Sequence, residues 1–132
     1  MDDDELIERF EKATLTGSTF HHREHVRVAW IYLHRYSPVE ALARMSDGLR
    51  ALARRHGAEH RYHETITWAY FFLIRERLDR CAEECTWDRF AEENADLLDW
   101  NSGLLSLYYH RATLGSDRAR RIFVMPDRVP GE

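Results

Sequence analysis

The chain has 132 residues, the length of one domain of ordinary size. Apolar residues make up 44% and aromatics 12%, which supports a real core and excludes wholesale disorder. A net charge of −4, from 19 basic and 23 acidic residues, argues against broad attraction to nucleic acid or an anionic membrane.

The opening residues Met1-Asp2-Asp3-Asp4-Glu5 are acidic where a leader would be basic. The longest apolar runs, 28–33 and 68–74, fall far short of the ~20 residues of a membrane span. The expectation is a cytoplasmic protein with no membrane and no nucleic-acid partner. In residues 2–14, Leu6, Ile7 and Phe10 recur at helical spacing, with Leu15 just beyond. Gly17-Ser18-Thr19 breaks that helix and offers hydroxyl caps to a second, over 20–36. Ser37-Pro38-Val39-Glu40 reads as an N-cap, a proline at the first helical position and a capping-box acid. The third helix presents Leu42, Met45, Leu49 and Leu52 on one face and stops at His56-Gly57. A fourth covers about 62–81. Thr86 caps a fifth with Phe90, Leu97 and Leu98 inward, Asn101-Ser102 opens a sixth, and a short turn follows Ser116. Residues 127–132 read as an extended tail. Cys81 and Cys85, with no second pair to complete a zinc site, read as two reduced thiols on one helix face. The fold class is all-α: one domain over 1–132, a bundle of five or six main helices with two central apolar ones, helices 2 and 4.

Both central helices begin with titratable residues, Phe20-His21-His22-Arg23-Glu24-His25 and Tyr62-His63-Glu64-Thr65-Ile66-Thr67. Short loops make successive helices antiparallel, so helices 2 and 4 run parallel and their N-termini share one end of the bundle. The turn Asp99-Trp100-Asn101-Ser102 reaches that end too.

Three readings of this cluster stand side by side. In the first, His22, His25 and His63 ligate Zn or non-haem Fe, with Glu64 as fourth ligand or general base and Asp99 orienting a histidine. In the second, the helix N-termini and Arg23 hold a small polar or anionic ligand, walled by Tyr62, Tyr109 and neighbouring aromatics. In the third, the His and Glu side chains are a structural hydrogen-bond network of a non-enzymatic, dimeric interaction protein. His21-His22-Arg23-Glu24-His25 also fits H-x-x-E-H, a five-residue pattern that arises by chance in a His-rich chain. The arginines of helix 3 and of 118–121 read as solvated faces.

Three segments, Phe20-x-His22-Arg23-x-His25, Tyr62-His63-Glu64-Thr65-x-Thr67 and Ala119-Arg120-x-x-Phe123-x-x-Pro126-Asp127, resemble a family of small bacterial all-helical proteins without an established activity. The likeness spans about 18–127. It implies a compact all-α domain and draws attention to His22, His25, His63, Glu64 and Arg120, and it supplies neither substrate nor cofactor. The combined expectation is a pocket for a metal ion or small molecule, lined by His22, His25, Tyr62, His63, Glu64 and Thr67, with Arg23, Asp99, Tyr109 and Arg120 as further ligand-binding residues.

Overall fold

The computed structural model describes residues 1–81 and 84–131. In chain order the α-helices are α1 (Asp3–Glu11), α2 (His22–Arg35), α3 (Pro38–Arg55), α4 (Glu64–Asp79), α5 (Trp87–Glu93), α6 (Ala95–Leu98), α7 (Arg111–Leu114) and α8 (Asp117–Arg121). Three 3-10 turns lie at Glu59–Arg61, Trp100–Ser102 and Leu104–Leu107. No strand occurs among the described residues, so the fold is all-α. No helix among them is long and apolar enough to cross a membrane.

The first three helices form for local reasons. Asp2 caps α1 by accepting from the Glu5 amide at 2.8 Å, and Leu6, Ile7 and Phe10 turn inward. Ser37 caps α3 by accepting from the Glu40 amide at 3.3 Å, with Pro38 behind it. The Glu40 carboxylate goes to Arg44 instead of closing a capping box. Gly57 ends α3 at φ 63°, its amide bonding Arg54 while Ala58 bonds Ala53, the paired arrangement of a left-handed C-terminal stop. The second predicted helix starts later than expected. The hydroxyls of Ser18 and Thr19 bond Thr16 instead of capping it, and the N-cap position falls to His21 with no side-chain bond.

Beyond α4 the count of five or six main helices gives way to shorter pieces. Asn94 breaks the predicted fifth helix: its side-chain amide donates to the Phe90 carbonyl at 2.9 Å, and its oxygen accepts from Arg77 at 3.0 Å. The predicted sixth becomes two 3-10 turns, because Asp99 caps Asn101 and Gly103 takes φ 71° between them. Cys81 and Cys85 lie outside the helices and are joined by a disulfide, which corrects the reading of two reduced thiols on a helix face.

The core sits between α2, α3 and α4, where Val26, Val28, Ile31, Met45, Phe71 and Ile74 are buried. The C-terminal segment is strapped across α4. Thr65, wholly buried, donates its hydroxyl to the Ile122 carbonyl at 2.7 Å and accepts from the Val124 amide at 3.0 Å. Phe123 stacks on Trp68 with ring centroids 5.3 Å apart. The predicted tail is tied down at its start, with the Asp127 and Arg128 amides both donating to the Tyr108 carbonyl. Glu132, the last residue of that tail, and residues 82–83, just past the predicted end of the fourth helix, lie outside the described residues.

Candidate functional site

A cavity of about 670 Å³ opens between α2, α3 and α4. His22 and His25 reach it from the first turns of α2, Tyr62, His63 and Thr67 from the start of α4, and Trp100 from the turn after α6. The N-terminal ends of α2 and α4 therefore meet at one place, together with the C-cap of α3 at His56. The walls differ from the expected polar lining: Leu15, Phe20, Met45, Leu49, Ile66 and Phe71 make most of the surface apolar.

The four imidazoles at this cavity have different commitments. His63 is the N-cap of α4, and its Nδ1 accepts from the Ile66 amide at 3.0 Å. That bond fixes the Nε2–H tautomer, and Nε2 donates to the Leu114 carbonyl at 2.8 Å. Both ring nitrogens are thereby used. His22 donates from Nε2 to the Leu97 carbonyl at 2.7 Å, which leaves Nδ1 as its acceptor. His56 donates from Nε2 to the Leu15 carbonyl at 2.8 Å.

His25 alone of the four has no hydrogen-bond partner among the described residues; it stacks on Phe20 with ring centroids 4.3 Å apart. Burial pushes its imidazole down to about 4, and the nearby His22 adds to the effect. His22 is also lowered by burial, against the opposing pull of the Leu97 carbonyl and the Asp99 charge. Both shifts favour the neutral imidazole. An aromatic cluster closes this end: His22 packs edge-to-face with Tyr70 and Trp100, ring centroids 4.7 and 5.2 Å apart, and Trp100, 55% exposed, stacks on Tyr70.

Glu64, the expected base, turns away from the cavity. Its carboxylate accepts twice from Arg50 Nη2, at 2.7 and 2.9 Å, and from the Tyr62 hydroxyl at 2.6 Å. An arginine on α3 outcompetes the cavity for that charge, and the resulting Arg50–Glu64–Tyr62 chain ties α3 to α4. Burial, then the Glu64 bond, push the Tyr62 phenol up to about 12. The expected ligand set of His22, His25 and His63 does not assemble. His63 has no lone pair to give, and no group of three His, Cys, Asp or Glu among the described residues is placed to hold a metal ion.

The remaining expected ligand-binding residues are elsewhere. Arg23 lies 5.5 Å over the Trp87 ring. Asp99 accepts from the Asn101 amide and reaches the cavity through its field on His22 and Tyr70. Tyr109 donates its hydroxyl to the Val124 carbonyl at 2.7 Å, and Arg120 pairs with Asp117 at 2.7 Å, so Tyr109 holds the C-terminal segment in place and Arg120 is spent on a pair within α8. Among the cavity residues that the sequence does not single out are His56, at the C-cap of α3, Tyr70, inside an apolar run, and Trp100, next to Asp99. Only the last carried a signal, because the turn holding it was already placed at this end. Comparison with protein-family models, curated proteins and solved structures finds no match to this chain.

Proposed function

We propose that this protein binds a small, largely apolar organic molecule in the cavity between α2, α3 and α4. The observation that carries the reading is the cavity itself, whose about 670 Å³ lies within the size range typical of small-molecule sites. Its apolar walls supply the affinity, and a few polar groups, His25 foremost, supply orientation. No catalytic role is assigned to Glu64, whose carboxylate is satisfied by Arg50 and Tyr62.

The test is a titration with N-phenyl-naphthylamine, a neutral apolar fluorophore, on the parent and on Ala53→Phe, which places a ring in the cavity. The expected result is saturable, one-to-one fluorescence enhancement in the parent and its loss in a variant that still melts cooperatively. Absence of saturable binding to the parent refutes the reading.

A second reading, an interaction protein that pairs with a second copy of itself, draws on a different face. Phe72 and Ile122 are each 45% exposed beside the Trp68–Phe123 stack. Light scattering decides it: a dimer mass that falls to the monomer in Phe72→Glu supports it, and a monomeric parent removes it.

A further inference from the structure

The polar atoms of the cavity point to the class of molecule it takes, granted that it is a ligand site. His63 and His56 already donate to main-chain carbonyls, and Tyr62 donates to Glu64. The atoms left for a ligand are the His25 imidazole, Nδ1 of His22 and of His56, the Trp100 indole N–H, and the hydroxyls of Thr67 and Tyr70, none of which has a partner among the described residues.

None of these groups carries a permanent charge. A neutral imidazole offers one acceptor and one donor, and the two hydroxyls offer both. Among the described residues the one arginine or lysine on the lining is Arg61, which is exposed at the rim and therefore hydrated in the absence of a ligand. A carboxylate carried to His25 would leave water for a place with no positive partner, a costly transfer. An alcohol or phenol is transferred at less cost, because its O–H can donate to the unpaired imidazole in place of water. Phe20 stacked on His25, with Tyr70 and Trp100 across the cavity, provides flat aromatic surfaces for the carbon frame to lie against.

We infer that the cavity recognises an uncharged hydroxyl on an aromatic or otherwise ring-bearing apolar molecule, with His25 accepting the hydroxyl proton in a hydrogen bond. The inference rests on the ligand-binding reading, and the experiment separates the two. N-phenyl-naphthylamine is displaced at neutral pH by para-phenylphenol, by its methyl ether and by the corresponding biphenyl carboxylate. These three competitors share a frame and differ in the polar group.

The phenol is expected to compete about tenfold better than the ether, the ratio that one hydrogen bond to a partly buried group supports. The carboxylate is expected to be the weakest of the three. In His25→Leu the fluorophore still binds and the phenol loses its advantage over the ether, whereas Arg61→Ala leaves the order unchanged. Equal competition by phenol and ether, or a preference for the carboxylate that disappears in Arg61→Ala, overturns the hydroxyl assignment while leaving the cavity a ligand site. Failure of the fluorophore to bind the parent overturns both.

Discussion

Acidification provides a direct probe of how dry the His25 end of the cavity is. In the folded protein burial holds this imidazole down to about 4, whereas in the unfolded chain it takes up its proton near the ordinary value of 6.5. The unfolded state therefore binds the proton first as the pH falls, and folding loses stability through the window between those two values. Below the lower value both states are protonated and the loss levels off. Between pH ~7 and ~4.5 this difference corresponds to up to about 2.5 kcal/mol, a large share of the 5–15 kcal/mol that holds a typical domain together. His22, lowered in the same direction, adds to the loss in the same window. The carboxylates held low by their partners, Asp96 by Arg77 among them, keep their stabilising effect until the pH falls into the ordinary carboxylate range and below. The assay is urea unfolding at both pH values on the parent and on His25→Gln. The parent is expected to lose about 2 kcal/mol more on acidification than the variant. Equal losses would mean that the ring titrates as an exposed histidine does, and the case for a neutral, hydroxyl-seeking cavity would fall with it.

Other substitutions test the framework around the site. Thr65→Val removes the hydroxyl that serves both the Ile122 carbonyl and the Val124 amide, so unfolding in urea should show a loss of about 2–3 kcal/mol, with hydrogen exchange rising first in 122–124. His63→Ala removes the cap of α4 and its bond to Leu114; about 1–2 kcal/mol of stability should go, and His63→Asn should restore part of it. Gly48→Ala, on helix propensity alone a stabilising change, should instead cost about 1–3 kcal/mol in a thermal melt, because the new methyl would overlap the Phe10 ring.

The local rules of helix starts and stops made much of the fold legible. Ser37-Pro38 and Gly57 bound α3 as read, and the apolar spacing of Leu6, Ile7 and Phe10 marks α1. The meeting of the α2 and α4 starts followed from short loops alone, and His22, His25, Tyr62, His63 and Thr67 do line one cavity. What each residue does there was not legible. Nothing in Tyr62-His63-Glu64 announces that the imidazole caps its own helix, or that an arginine 14 positions earlier claims the carboxylate. Both depend on how α3 lies against α4, a tertiary fact. The break in the predicted fifth helix shares that origin in part, since Arg77 holds the Asn94 side chain that also bonds the Phe90 carbonyl, whereas the sixth is broken locally by Asp99 and Gly103. The apolar character of the cavity was hidden because its walls come from residues such as Leu15, Met45 and Leu49, whose pattern is indistinguishable from that of a filled core.

The most direct test of the ligand site is a nitrogen-15 spectrum of the histidine side chains at neutral pH, recorded before and after addition of para-phenylphenol. His63, locked between the Ile66 amide and the Leu114 carbonyl, serves as the internal reference. The expected result is a neutral His25 whose acceptor nitrogen shifts as the phenol saturates the protein, with His63 unchanged. A His25 ring that is protonated at neutral pH, or one whose nitrogens do not respond to saturating phenol, would contradict the assignment.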